Sequence, residues 1–198
     1  MPRIDDFKAI MRGGGARSNQ FRVTLTLPAW AIADSPNASR DANFLVKSAM
    51  LPGSIVEDIP VFYRGRQTHF AGERYYQPWH VQAYIDTSFG IRNGLEAWQR
   101  GFQNYDSTEG RTIPSEYQTD ILVDQHDRAE NVIKRYKLVN AYPTNMSPVP
   151  LDYDQQNTIE IFDIEFTFDY FTSDTGARPT NDTGGISLDT PLGRIPII

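Results

Sequence analysis

Apolar and polar residues alternate along much of this chain. Phe21, Val23, Leu25 and Leu27 are separated by Arg22, Thr24 and Thr26; Trp79, Val81, Ala83 and Ile85 are separated by His80, Gln82 and Tyr84. A period of two belongs to a half-buried strand, so each run predicts one. Further strands are expected over 44–50, 119–125 and 132–140, the last two divided by the turn chemistry of Asp127 to Asn131. A single stretch has firm helical spacing. Ile91, Leu95, Trp98 and Phe102 form one apolar stripe, which predicts a helix over 88–104 with Asp86 or Ser88 at its amino end. Gly94 inside it costs about 1 kcal/mol of propensity, so packing on a sheet must hold it. Residues 28–42 and 105–118 read as polar loops with Pro28, Pro36, Gly110 and Pro114.

Near the carboxyl end, Thr158 to Phe171 reads as one strand of 14 residues, far above the usual length of about 5–6. Its apolar parity switches: Ile159 and Ile161 share one side, then Phe162, Ile164, Phe166, Phe168 and Tyr170 the other. A bulge near Ile161-Phe162 would account for the switch. The phenylalanines, with Trp79, Trp98 and Phe102, make the expected core. Asp163, Glu165 and Asp169 form a row on the opposite face. Many strands, one helix and no βαβ rhythm give a mainly β class. Two packed sheets, or a small barrel-like sandwich, would carry one flanking α-helix.

The ends differ from the middle. A short helix with Ile4, Phe7, Ile10 and Met11 leads to Gly13-Gly14-Gly15, a hinge for an arm over 1–18. The β domain runs over 19–171, and a Thr/Asp/Gly/Pro-rich extension over 172–198.

Composition narrows the chemistry. The net charge is −6, from 25 acids against 19 bases, which opposes a DNA-gripping protein; simple solubility accounts for it first, and it also suits a channel that DNA must slide through. There is no cysteine, hence no disulfide or thiolate chemistry. No apolar run approaches the roughly 20 residues of a membrane helix, so no stable membrane association is expected. His69, His80 and His126 stand apart, and no nucleophile motif or phosphate loop is present. The acidic row has the wrong geometry for a glycosidase, whose two carboxyls flank one bond. An enzyme, a metal and a cofactor are therefore not expected.

The most informative stretch is 50–79, MLPGSIVEDIPVFYRGRQTHFAGERYYQPW. Leu51-Pro52-Gly53 turns into the run Ile55, Ile59, Val61 and Tyr63. Arg64-Gly65-Arg66 reverses the chain, and a second strand leads to Trp79: a long hairpin with a polar tip. Together with Tyr142-Pro143-Thr144-Asn145, Leu151-Asp152-Tyr153-Asp154 and the closing Phe168-Asp169-Tyr170-Phe171, this stretch resembles the tail tube proteins of contractile-tail phages, over about 19–171.

The resemblance implies a tail-tube fold and a structural subunit, part of the virion tail and assembled in the host cytoplasm. Six copies would close a ring, and rings would stack inside a contractile sheath to conduct the genome. Partners implied are further copies, the sheath protein, baseplate and tail-terminator proteins, and, transiently in the lumen, the tape-measure protein and DNA. It also points to Ile59, Val61, Phe62, Tyr63, Arg64 and Arg66 as interface residues and to Asp163, Glu165 and Asp169 as lumen-facing. Alternatives are a baseplate-proximal tube initiator, a tube subunit of another contractile injection machine, or a β-sandwich sugar-binding module using Tyr75, Tyr76 and Trp79.

Overall fold

A computed structural model describes residues 3–11, 15–33 and 35–174 in full, and 175, 187–190 and 193–196 as backbone. In chain order the elements are α1 (Ile4–Ile10), β1 (Phe21–Thr24), α2 (Ala29–Ile32), α3 (Ala38–Leu45), β2 (Val46–Ala49), β3 (Ser54–Tyr63), β4 (Arg66–Tyr76) and β5 (Trp79–Tyr84). There follow α4 (Gly90–Phe102), α5 (Pro114–Tyr117), β6 (Thr119–His126), β7 (Val132–Met146), β8 (Ile161–Thr167), β9 (Tyr170–Thr175), β10 (Ser187–Thr190) and β11 (Gly193–Pro196). The fold is mainly β, as expected.

Seven strands hydrogen-bond in the order β1-β6-β7-β8-β5-β2, with β9 also on β7. β7 belongs to two sheets. Its first half lies between β6 and β9; its second half pairs with β8, which continues to β5 and β2. The expected 14-residue strand is thus two strands, β8 and β9, interrupted at Phe168-Asp169.

The parity change sits at that interruption, not at Ile161-Phe162. Ile161 simply opens β8, and Ile159 lies outside the strand, exposed. Phe168 is buried and Phe171, three residues on, packs against the same core. Opposite, Leu138 and Ala141 are both fully buried and also three apart, because Asn140 takes a positive φ of 58°. The register of β6 shifts at the same level, between Thr119 and Ile121. Asn140 joins the three strands: its N–H donates to Asp120 Oδ1 (3.3 Å) and its Nδ2 to Asp169 Oδ2 (2.6 Å). The sheets turn one over the other here and enclose a single core.

That core includes Trp79, Trp98, Phe162 and Phe166 as expected, with Phe102 only partly buried against it. Each phenylalanine there stabilises by roughly 1.5–3 kcal/mol. α4 matches the predicted helix closely. Asp86 Oδ1 accepts the Gly90 N–H (3.1 Å), and bonds from Ser88 and the backbone hold its carboxyl below the ordinary carboxylate value.

α1 and α4 are the two expected helices, and the segments between them and after α4 add helical turns where loops are expected. Five helical segments are present among the described residues, and α3 occupies part of the expected 28–42 loop and the start of the expected strand over 44–50. Its polar residues Ser39, Arg40, Asp41 and Asn43 hide a two-alanine stripe, Ala38 and Ala42, both buried. Side chains others would use for loops serve packing here: Ser39 Oγ accepts the Leu27 N–H (3.4 Å), and Thr24 Oγ1 donates to Asn43 Oδ1 (3.2 Å). α3 and α2 can come this close because α4 carries Gly94 where it meets the first and Gly101 where it meets the second. A Cβ on Gly94 would lie 2.7 Å from Leu27 Cδ2 and 3.0 Å from the Ala38 Cβ, and one on Gly101 would enter the Trp30 ring. The propensity cost of Gly94 is the condition for close packing.

The outward face of the first sheet carries charge in order. Across β1, β6, β7 and β9 the register aligns Arg22, Asp124, Arg135 and Asp174. Arg135 donates two hydrogen bonds to Asp124 (2.6 and 2.7 Å), which holds the guanidinium above its ordinary pKa. Lys137 pairs with Asp120 at 2.7 Å.

Two predictions follow from this packing. Gly94→Ala should destabilise the protein by about 1–3 kcal/mol through overpacking, although alanine is the better helix former. Arg135→Met should cost about 1–2 kcal/mol, the value of a charged hydrogen bond discounted for the half-exposed guanidinium, because it leaves the buried Asp124 unpaired. Urea unfolding midpoints check both.

Candidate assembly surfaces

β3 and β4 form a two-stranded sheet apart from the body. The turn is two residues, Arg64 (φ 47°) and Gly65 (φ 77°), the double positive φ whose twist matches a hairpin. The Arg64 guanidinium lies over the Tyr63 ring, 5.4 Å from its centre. Glu57 faces two residues, Gly72 and Glu73, since Val56 pairs with Arg74 but Asp58 with Ala71. This bulge resets parity along β4, and Gly72 is needed there because a Cβ would stand 3.0 Å from the Glu57 carbonyl oxygen.

The pairing sorts the side chains into two faces. Ile55 opposes Tyr75, Ile59 opposes Phe70, Val61 opposes Thr68 and Tyr63 opposes Arg66 on one. The other carries Val56 with Arg74, Asp58 with Ala71, Pro60 with His69 and Phe62 with Gln67. On this second face His69 Nδ1 lies 2.6 Å from Asp58 Oδ2. Of the expected interface residues, the structure therefore unites Ile59, Val61, Tyr63 and Arg66. It places Phe62 on the reverse side and Arg64 in the turn. All are exposed: Ile59 is 50%, Tyr63 66% and Phe62 74% accessible. Sequence reading missed Phe70 (55% accessible) and gave Tyr75, on the same apolar face, only to the sugar-binding alternative. The signal was Ala71-Gly72-Glu73, whose glycine marks the bulge that brings them into line with Ile59.

A short root joins the hairpin to the second sheet. Met50 to Gly53 and Gln77-Pro78 connect it to β2 and β5, and the Trp79 indole N–H donates to the Met50 carbonyl (2.5 Å). Trp79 is only 2% accessible, so its ring cannot stack on a sugar.

The outward face of the second sheet is polar and cross-linked by hydrogen bonds. Ser48 Oγ donates to Gln82 Oε1 (3.1 Å), and Gln82 Nε2 donates to Asp163 Oδ1 (2.7 Å). One step along, His80 Nδ1 is 3.4 Å from Glu165 Oε1. Asp163 and Glu165 thus share a face, as the alternation predicts. Asp169 stands apart at the corner, its carboxylate bound by Asn140. Among the described residues no group of three or more His, Asp or Glu side chains is arranged to hold a metal ion, and no helix is long and apolar enough to cross a membrane.

The phage tail tube protein family model matches residues 16–174, most of the chain. Tail tube protein gp19 of Enterobacteria phage T4 is 30% identical over 172 residues, spanning 85% of this chain and 98% of that protein. Among solved structures, a chain of the anti-feeding prophage baseplate superposes with a TM-score of 0.59 at 12% identity, covering 81% of this chain and 96% of its own. A chain of the sheath–tube complex of an extracellular contractile injection system gives 0.55 at 15% identity, covering 81% and 92%. At these identities the structural likeness is one of fold. With the family match and the T4 relative beside it, the chain belongs to the phage tail tube protein family: a structural tube subunit of a contractile virion tail, not an enzyme.

Proposed function

We propose that copies of this chain close into six-membered rings that stack head to tail, forming a hollow tube inside the sheath through which the genome passes. The observation that carries this reading is the β3–β4 hairpin. It presents Ile55, Ile59, Val61, Tyr63, Phe70 and Tyr75 on one face, its strands pair only with each other, and it meets the body at its root, where Tyr76 packs against Phe168 and Phe171. A two-stranded hairpin is marginal alone in water, and an exposed apolar patch of this kind marks an interface. A neighbouring copy is the partner that makes a repeating assembly, and a contact between unlike surfaces propagates into a filament.

The second sheet supplies the lumen wall in this reading. Asp163 and Glu165 turn an acidic, hydrogen-bonded face to the channel, where like charge keeps the phosphate backbone from adhering. Asp169, held at the corner, contributes charge beside that wall. Solved neighbours are named for a sheath–tube complex, a tube-terminating cap and a baseplate, which supports sheath, terminator and baseplate proteins as partners here. The tape-measure protein and DNA occupy the lumen transiently, and assembly takes place in the host cytoplasm.

Ile59→Asp and Phe70→Asp should each abolish tubes in electron micrographs of concentrated protein while the melting temperature stays near wild type, since both side chains are already exposed. Tubes of ordinary length from either variant would refute the hairpin interface. Separate rings from the unaltered chain would favour a tube initiator. For the lumen, Asp163→Lys with Glu165→Lys should give tails that retain DNA after contraction; normal genome release would remove these residues from the channel.

A further inference from the structure

We infer that the hairpin tip of one copy, with Phe62, Arg64 and Arg66, docks on the β7–β8 loop of another copy, residues 147–160. The inference rests on the hairpin being an interface between copies, and it names the surface that receives the tip.

The register of the second sheet sets the two features apart. β5 begins at Trp79, beside the hairpin root, and ends at Tyr84. β8 runs the other way, with Ile161 opposite Tyr84 and Phe166 opposite Trp79. The loop leaves β7 where the Ser147 N–H donates to the Asp163 carbonyl (2.9 Å). It enters β8 where the Glu160 carbonyl accepts the Ile85 N–H (3.0 Å). Hairpin and loop thus spring from opposite ends of one sheet, about 17–20 Å apart along its strands. A contact between them joins the head of one copy to the tail of the next. Each copy keeps one surface open, the condition for a growing filament.

The loop is presented rather than packed. Asp152 Oδ1 accepts the Asp154 N–H (3.0 Å) and the Asp152 carbonyl accepts the Gln155 N–H (3.3 Å), a turn with Tyr153 at its crest. Tyr153 is fully exposed, and Leu151 is 81% and Ile159 64% accessible. Their own chain therefore leaves these side chains uncovered, and such a surface marks an interface. A cleft of about 320 Å³ opens among Leu151, Tyr153, Thr158 and Glu160. On the hairpin, Phe62 has the matching character. It lies on the reverse of the Ile59–Phe70 face, so a partner that covers that face leaves its ring bare.

Charge selects the occupant. Residues 59–72 carry Arg64 and Arg66 and no acid; residues 147–160 carry Asp152, Asp154 and Glu160 and no lysine or arginine. Among the described residues, none of these five side chains is in an ion pair. Tip against tip would set arginine on arginine, and loop against loop would set acid on acid. Tip on loop brings opposite charges together. Exposed ion pairs add little affinity by themselves. The apolar side chains supply the burial, and the charges choose the partner surface and its direction.

The chain has no native cysteine, so single cysteines can report the contact. Gln67 opposes Phe62 on the hairpin, Gln155 lines the cleft, and both are exposed. Concentrated chains carrying Gln67→Cys, mixed with chains carrying Gln155→Cys and treated with a short bis-maleimide, should give a covalent dimer on a denaturing gel. Either variant alone should stay monomeric. Arg64→Glu with Arg66→Glu in the first chain, or Asp152→Arg with Asp154→Arg in the second, should cut the dimer about tenfold or more. Both reversals together should restore it. No mixed dimer, equal dimer from one variant alone, or reversals without effect would each overturn the docking. Electron micrographs of the unaltered chain separate this inference from the wider reading. Tubes without a mixed cross-link refute the tip-to-loop contact alone; a mixed cross-link without tubes upholds the contact and counts against the tube.

Discussion

Everything in this fold depends on the bend shared by β6, β7 and the β8–β9 pair. A strand as long as β7 cannot stay flat inside a small domain, and three strands cannot bend together unless each gains or loses a position at one level. Asn140 supplies the extra residue in the left-handed region, where asparagine is among the few side chains tolerated. Its two polar ends then bind Asp120 and Asp169, the acids on either side. The bend lets one hydrogen-bonded network fold over itself into two sheets with a common core. It also aims the edges: β1 and β9 bound one sheet, β2 and the end of β7 the other.

Those edges divide the molecule into a finished part and an unfinished one. The core is closed, with Trp98, Phe162 and Phe166 sealed from solvent. The hairpin is the opposite case, apolar on a face that is exposed at Ile59, Val61, Tyr63 and Phe70. A monomer that buries its own core and leaves one hairpin bare can fold before it assembles. That order suits a subunit made in quantity and consumed by polymerisation.

The strands, the long helix and the hairpin turn were legible because each rests on local periodicity or a local turn. What escaped had non-local causes. α3 looked like a loop because its small alanines carry no stripe until Leu27 and Gly94 are placed against them. The break at Phe168-Asp169 was displaced to Ile161-Phe162 because parity alone tells that a switch occurs, while the partner strand decides where. The hairpin residues Ile59, Val61 and Tyr63 could be read from β3 alone. Phe70 and Tyr75 required the bulge opposite Glu57. For the acidic row, alternation united Asp163 and Glu165 correctly and failed at Asp169, which lies past the bend.

The two outward faces solve the same problem differently, and the difference has functional content. On the first sheet, acids and bases satisfy one another: Asp124 with Arg135 and Asp120 with Lys137. Such a face projects little net field. On the second, Asp163 and Glu165 meet only an amide and an imidazole, Gln82 and His80. An amide such as Gln82 orients a carboxylate without cancelling its charge, so the negative field of Asp163 survives to act at a distance over a Debye length of about 8–10 Å. In the ring proposed above, a few such carboxylates per subunit would sum to a potential that a lone chain of net charge −6 does not concentrate anywhere. The acid composition is therefore less informative than its distribution. One face spends its charges on internal pairs that hold strands in register, and the other leaves its acids without a lysine or arginine partner in any ion pair among the described residues.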